Sequence, residues 1–291
     1  MLGLSNFPDN AVFNEHTRAV VEGFQHARGL PLTGVVDQIT WERLGEATWK
    51  LGSRLLFLSS PFFRGDDVAE VQIRLAQLGF NPGRIDGIFG PLLDQALREF
   101  QENSGIEVSG TVTRGTVLEL GRLGGHHERQ LVTEAWSLEE TGLGDSEIVV
   151  WGEGPLVDDL VAALRRRFVV HVPLGASATG IAMFANTQRV ALVLSLATLE
   201  SVNGVHLHYW AGYRSHSRRG EHLASTIAAI LAASPRAPRV EVTGMALPIL
   251  RETQMTTLHV EFGDAPDQER HQVVTAIVAS VGQVIHRPPE K

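Results

Sequence analysis

The sequence contains no cysteine among its 291 residues and no long apolar run. Without cysteine there is no disulfide or thiolate metal site, so any bound metal needs His, Asp or Glu. No stretch approaches the roughly 18 apolar residues of a membrane helix. The first residues, MLGLSNFPDN, lack a charged segment followed by an apolar core. Without that export pattern, the expected location is the cytoplasm.

Positive charge is also scarce. Lys and Arg total 25 against 33 Asp and Glu, which gives a formal net charge of -8. No basic run or aromatic-basic patch stands out, so nucleic acid is not an expected partner. A glycine-rich phosphate loop, a Ser-His-Asp order and a nucleophilic cysteine are absent as well. With 43% hydrophobic and 20% charged residues, the composition is typical of two or three globular domains.

Residues 65–120 show three short amphipathic helical patterns separated by turns rich in Gly, Pro and Asp. Asp66 or Asp67 is the predicted N-cap of the first helix and Thr113 that of the third. Together they predict a compact three-helix module. The predicted core residues are Val68, Val71, Leu75 and Leu78 in the first helix, Leu93, Ala96, Leu97 and Phe100 in the second, and Val117 and Leu120 in the third.

A related repeat precedes this module. Shifting the sequence by 76 positions aligns Gln101 with Gln25 and Gly110 with Gly34. In this earlier copy, Asp37 is the predicted N-cap of the last helix, whose Trp41 and Leu44 are expected to face the core. The segment 47–58 is expected to continue that helix into a short connector.

The same shift leaves too few residues before Leu2 for the first helix of the earlier copy. Either Met1 lies downstream of the real start, or the first repeat is incomplete. A repeat without this helix exposes an apolar groove, which we expect another part of the protein or a partner to cover.

The ordered motifs GDDVAEVQIRLAQLGF, IDGIFG, ALREFQ and SGTV resemble the peptidoglycan-binding repeat of bacterial cell-wall proteins. We therefore divide the first half into repeat 1 (residues 1–58, without its first helix) and repeat 2 (residues 59–122). Residues 123–145 are polar and glycine-rich, and they are the predicted linker.

Residues 146–288 alternate apolar strands with amphipathic helices, which predicts a mostly parallel sheet covered by helices on both faces. The expected fold class is thus multidomain, with all-α repeats followed by an α/β domain. Strands are predicted at 148–151, 169–172, 190–196, 204–210 and 256–262, and helices at 156–168, 179–188, 222–233 and 267–285.

The motifs NGVHLHYW, SRRGEHLASTIAAIL and PILRETQMTTLHVEFG resemble, in this order, the zinc-dependent N-acetylmuramoyl-L-alanine amidases. With the repeats, the whole chain resembles the CwlM-like proteins of actinobacteria, cytoplasmic amidase relatives regarded as regulators of peptidoglycan precursor synthesis. That resemblance implies a muropeptide or precursor ligand. It also implies a protein partner among the wall-synthesis enzymes, such as the UDP-N-acetylglucosamine enolpyruvyl transferase.

Active amidases of this family bind Zn²⁺ through a histidine in a His-Gly-Gly turn, a glutamate and a histidine in a Ser-Ile-His strand. Here IVVWGEGPLVDDL runs from strand to helix without that turn. Glu153 corresponds either to the ligand glutamate or to a plain first-turn acid that is favoured by the helix dipole. Ala197 replaces the second histidine, and Glu261 matches the catalytic glutamate.

The main hypothesis is therefore a pseudo-amidase without metal that regulates by binding. Glu261 is then a remnant or a ligand-contacting acid, and Glu153, Ala197 and His208 mark the ligand site. The alternative is an amidase with a rearranged zinc site. His206 and His208 alternate on one strand and face the same way, so Glu261 or His259 would complete a set of three ligands. The other interpretation is that the two histidines are ordinary polar side chains of the surface or core. A third hypothesis, a plain wall-binding module, requires export.

Overall fold

The computed structural model describes residues 12–124, 147–212, 215–234, 237–263 and 266–286. Most of the predicted linker lies outside these residues. The helices of the first half are α1 (Glu15–Arg28), α2 (Gln38–Ala47), α3 (Asp66–Gln77), α4 (Pro91–Asn103) and α5 (Arg114–Gly124). None of the described helices is long and apolar enough to cross a membrane.

Repeat 2 is the predicted three-helix module. Its predicted core positions are buried, except that Leu78 and Val117 are partly buried against the core, and Phe89, from the turn before α4, joins them without any exposed surface. The predicted aspartate cap of α3 is wrong, because Gly65 is the N-cap. Asp66 and Asp67 lie in the first turn, where they pair instead with Arg28 of α1 and Arg54 of the connector, respectively.

The repeats share one buried hydrogen-bonded turn, which confirms the predicted 76-residue relation. In both, a fully buried glutamine side chain accepts a hydrogen bond at 2.9 Å from a glycine N–H nine residues later, Gln25 from Gly34 and Gln101 from Gly110. Both glycines have positive φ, 64° and 68°. The amide nitrogen of each glutamine reaches a threonine hydroxyl fifteen residues along the chain.

Repeat 1 is less completely packed. Asp37 caps α2 as predicted, accepting from Thr40 N at 2.8 Å. The prediction that Trp41 faces the core is wrong, since its side chain is 70% exposed, and Leu44 is only half-buried. The physical reason is that no described element of repeat 1 occupies the place that α3 takes in repeat 2.

The segment after α2 does not continue as a helix, contrary to the sequence pattern. The helix ends at Ala47 with Thr48 as its C-cap. Leu56 then pairs with Val112 of repeat 2 in an isolated antiparallel bridge, and Leu56 is buried in the core of repeat 2. The connector therefore joins the two repeats.

The second half has six strands and five helices within the described residues, in one mixed sheet of order β2-β1-β3-β6-β4-β5. All neighbouring strands are parallel except the antiparallel pair β4–β6. The elements are β1 (Glu147–Trp151), α6 (Pro155–Leu164), β2 (Val169–His171), α7 (Ala178–Gln188), β3 (Leu192–Thr198), β4 (Val205–Trp210), α8 (Arg218–Ala232), β5 (Val240–Met245), α9 (Pro248–Glu252), β6 (Thr256–Phe262) and α10 (Asp267–His286).

Helices cover both faces of this sheet, as predicted. Because side chains alternate along a strand, Ile148 and Val150 belong to the larger core beneath α6, α8 and α10, whereas Val149 belongs to the core with α7 and α9. The sequence prediction missed β5 and α9. The strands and helices that the sequence did predict are all present, with ends shifted by a few residues.

Short helix α9 fastens the α/β domain to the repeats. Arg251, only 5% exposed, donates to the carbonyl oxygen of Asp86 in repeat 2 at 2.6 and 2.8 Å. It also pairs with Glu46 of repeat 1 at 3.0 Å. Nearby, Ala246 N donates to the carbonyl oxygen of Gly29. A Cβ at Gly29 would collide with the carbonyl oxygen of Ala211. The two halves therefore share a close, hydrogen-bonded interface.

Candidate functional site

A polar cluster lies where the parallel strands β3 and β6 end and the antiparallel strand β4 begins. His206 is the register partner of Glu261, and His208 that of His259. Ala197 of β3 lies on the other side of Glu261. In open α/β sheets, ligands bind outside the carboxyl ends of the strands, so the cluster occupies the expected edge.

The Glu261 carboxylate is surrounded by imidazoles. Its Oε2 lies 3.3 Å from His208 Nε2 and 3.7 Å from His206 Nδ1. The other oxygen, Oε1, lies 3.6 Å from His259 Nε2. The adjacent imidazoles, first His208 and then His259, hold the pKa of Glu261 well below its usual range by stabilising its charged form, although partial burial opposes this shift. Glu261 is therefore an anion at neutral pH.

His208 is the most enclosed member of the cluster, with a side chain only 5% exposed. Neither of its ring nitrogens has a hydrogen bond of acceptable geometry, despite the proximity of Glu261. Its ring stacks on that of His259 at a centroid distance of 5.9 Å. A buried polar side chain without hydrogen bonds is costly unless another group satisfies it.

Residues outside the cluster approach two of its members. His206 Nε2 lies 3.6 Å from Glu241 of β5. His259 Nδ1 lies 2.8 Å from the hydroxyl of Ser195, which stands beside it on β3. The sequence prediction missed Glu241 because it missed β5. Ser195 lies two residues before Ala197 on β3, and nothing in the sequence signalled its pairing with His259.

The structure brings some predicted site residues together and leaves one apart. His206, His208 and Glu261 each place one ligand atom within 4.8 Å of the others. Ala197 adjoins Glu261 with its methyl group partly exposed. Glu153 does not join them: it is exposed, follows β1 two strands away from β6, and precedes the N-cap of α6.

The zinc arrangement of the amidase family does not fit these residues. The methyl group of Ala197 has no lone pair to offer a metal. The chain passes from β1 to α6 through Gly152 and Gly154, and a Cβ at Gly152 would collide with the Leu196 carbonyl. Among the described residues, the closely spaced ligand set is instead the cluster on β4 and β6.

A second concave feature lies between repeat 2 and the α/β domain. It is a cleft of about 530 Å³, bounded by Pro82 of a turn and Leu92 of α4 on one side and by Ala182 and Met183 of α7 on the other. Asn186 orders its rim by donating to the Glu252 carbonyl and accepting from Gln254 N, both at 2.8 Å. Its size is that of a small-molecule site.

Comparison with known proteins gives these features a family. Residues 2–44 and 64–120 match the family described as "putative peptidoglycan binding domain". The protein named N-acetylmuramoyl-L-alanine amidase CwlM, from Mycobacterium tuberculosis, is 30% identical over 292 residues, covering 87% of this chain and 72% of that protein. The chain belongs to the CwlM family. This confirms two predicted resemblances, that of the first half to peptidoglycan-binding repeats and that of the whole chain to the CwlM-like proteins.

Other similarities are more partial. The spore cortex-lytic enzyme of Oceanobacillus iheyensis is 41% identical over 70 residues, which are 24% of this chain and 25% of that protein. The solved structure of the amidase Ami1 from Mycobacterium abscessus covers 49% of this chain and all of its own, with 13% identity and a TM-score of 0.39. The amidase of Clostridium difficile 630 covers 50% of this chain and 98% of its own, with 14% identity and a TM-score of 0.38.

Proposed function

We propose that this member of the CwlM family is a non-catalytic pseudo-amidase that regulates cell-wall precursor synthesis in the cytoplasm by binding a muropeptide or precursor. The observation that carries the proposal is the methyl group of Ala197 beside Glu261, at a position where a metal-dependent amidase needs a ligand. A carboxylate acting alone as a general base contributes only about 10²–10⁴-fold to a rate. Binding is therefore the better-supported role.

The cleft beside repeat 2 supports binding of a wall fragment. Its apolar walls, including Met183 and Leu92, alternate with polar groups such as Asn186 and Gln254. Muropeptides combine apolar faces of sugars and alanines with many amide and hydroxyl groups, which suits such a mixed lining. Because Arg251 and Glu252 hold the two walls together, the cleft is formed before a ligand arrives.

Repeat 1 supports a protein partner. Its incomplete packing leaves Trp41, Leu32 and Val35 at least 59% exposed. Exposed apolar groups of this size, when clustered, are typical of interaction surfaces. The partner implied by the family resemblance is an enzyme of precursor synthesis, such as the UDP-N-acetylglucosamine enolpyruvyl transferase.

Calorimetric titration of the full chain with soluble muropeptides tests ligand binding. Met183→Arg places a charge in the cleft and is expected to weaken binding at least tenfold. Leu174→Arg is the matched control, because Leu174 is also exposed but does not line the cleft. The proposal fails if the wild-type chain binds no muropeptide, or if it releases stem peptide from muropeptides. Co-purification with the transferase, and a change in its rate, test the partner separately.

A second candidate is a zinc-dependent amidase that uses a rearranged site. It is favoured by the convergence of His206, His208 and Glu261, and by the activity named for the relative from Mycobacterium tuberculosis. Stem-peptide release by zinc-supplemented protein, abolished by Glu261→Gln, would replace the binding proposal. Release that Glu261→Gln leaves unchanged would instead indicate a contaminating hydrolase.

A further inference from the structure

We propose that His206, His208 and Glu261 bind one divalent transition-metal ion, of the class that includes Zn²⁺, at the strand edge between β4 and β6. The inference does not depend on the binding proposal above, because such an ion can order the sheet edge or hold a ligand oxygen without hydrolysis. Three observations support it: the spacing of the ligand atoms, the buried imidazole of His208 without hydrogen bonds, and the groups behind the ligands.

The spacing is close to that of a tetrahedral ion. Ligand bonds of about 2.0–2.2 Å place tetrahedral ligand atoms roughly 3.3–3.6 Å apart. Glu261 Oε2 already lies 3.3 Å from His208 Nε2 and 3.7 Å from His206 Nδ1. All three residues offer a ligand atom within 4.8 Å of the others.

The burial of His208 is the independent observation. Its side chain is only 5% exposed, and both ring nitrogens lack a hydrogen bond. A purely structural core histidine normally has at least one satisfied nitrogen. A metal at Nε2 would satisfy this atom, and the neighbouring carboxylate would supply compensating negative charge.

The groups behind the ligands have the arrangement that orients metal-binding residues. Metal-ligating histidines commonly donate their other N–H to a carboxylate. Here Glu241 lies 3.6 Å from Nε2 of His206, whose Nδ1 faces Glu261. His259 approaches the second oxygen of Glu261, and Ser195 fixes His259 in turn.

The ligand set also selects the class of metal. Two imidazoles and one carboxylate suit Zn²⁺, Fe²⁺, Co²⁺ or Ni²⁺, whereas Mg²⁺ and Ca²⁺ prefer oxygen ligands throughout. Three protein ligands leave at least one coordination position open. Because His206 and Glu261 are 25% and 22% exposed, that position is accessible to solvent or to a carbonyl or phosphate oxygen of a ligand.

The test is metal titration of the full chain after removal of metals with a chelator. We expect one Zn²⁺ per chain by calorimetry, one Co²⁺ with visible d–d absorption, and no comparable binding of Mg²⁺. His208→Asn and Glu261→Gln should each weaken Zn²⁺ binding more than the 10–100-fold typical of outer residues, and Glu241→Gln by about tenfold. His206→Asn provides a more exposed ligand variant if His208→Asn fails to fold.

The matched control is His171→Asn. Nε2 of His171 on β2 lies 2.9 Å from Glu147 on β1. The two residues form another histidine–carboxylate pair on the same sheet, outside the cluster. Its loss should leave Zn²⁺ affinity and Co²⁺ absorption unchanged. The inference is overturned if the wild-type chain binds no Zn²⁺, or if the ligand variants bind it as tightly as the wild type does. Muropeptide binding, tested through Met183, fails or succeeds independently.

Discussion

Repeat 1 and repeat 2 close the same turn with the same buried glutamine, yet they bury very different amounts of apolar surface. In repeat 2, residues from three helices form a continuous core around Phe100. In repeat 1, Phe24 and Leu30 are buried, but Trp41 is largely exposed. Local hydrogen bonding thus persists in a repeat that lacks a described counterpart of α3. Burial, in contrast, depends on what packs against the remaining helices.

The largest expected contrast comes from the paired phenylalanines. Phe100→Ala should lower the free energy of unfolding by about 3–5 kcal/mol, the usual cost of emptying a packed core site. Phe24→Ala, at the equivalent position in the thinner repeat 1, should cost about half as much. Denaturant unfolding followed by fluorescence measures both. Equal losses would mean that repeat 1 is packed as completely as repeat 2.

Arg251 tests how far repeat 1 depends on the α/β domain. Arg251→Leu removes one of the two arginine partners of Glu46, a carboxyl whose pKa is raised by burial, and leaves Arg43 at 2.7 Å. Breaking one side of a buried ion pair costs about 3–5 kcal/mol when the other charge is left alone, so the expected cost with Arg43 in place is at the lower end of this range. We therefore expect a lower melting temperature and faster proteolysis within residues 12–58.

The control for Arg251 is Arg239→Leu, which removes an exposed pair with Glu241 and should cost at most about 1 kcal/mol. If proteolysis of repeat 1 is the same in both variants, α9 does not support it. Glu252→Gln, which weakens the pair of Arg64 with the same helix, provides an intermediate case.

The glutamine turn should behave alike in both repeats. Gln25→Leu and Gln101→Leu each leave a buried glycine N–H without its acceptor, at an expected cost of about 1–3 kcal/mol. The two losses should agree within about 0.5 kcal/mol, because each glutamine has no exposed surface and makes the same contacts. Thermal unfolding of both variants checks this. A much smaller loss of stability for Gln25→Leu would mean that the contribution of the turn depends on how completely the surrounding core is packed.

Strong periodic patterns explain which elements were predictable. The apolar stripe of α10 and the buried strand β6 were predicted within one residue of their ends. Strand β5 was not, because it is an edge strand whose side chains are all at least partly exposed. Helix α9 has only five residues, too few to show helical periodicity.

The candidate site shows the same division. The alternation of His206 and His208 correctly predicted that both face one side, since strand side chains have a period of two. Their meeting with Glu261 requires β4 to enter beside β6 in the antiparallel direction, a detail of sheet order that strand patterns do not specify. Glu241 depends on the unrecognised strand β5, so no local signal could place it behind His206.

The smallest effect on stability should come from Trp41, and it completes the contrast between the repeats. Trp41→Ala should change the free energy of unfolding by no more than about 0.5 kcal/mol, because the ring is mostly exposed. Its counterpart in repeat 2, Val117, packs against the core, so Val117→Ala should cost about 1 kcal/mol despite removing fewer atoms. Paired denaturant curves measure the difference. A large loss for Trp41→Ala would show that repeat 1 buries this ring in solution, and its surface would then not be free for a partner.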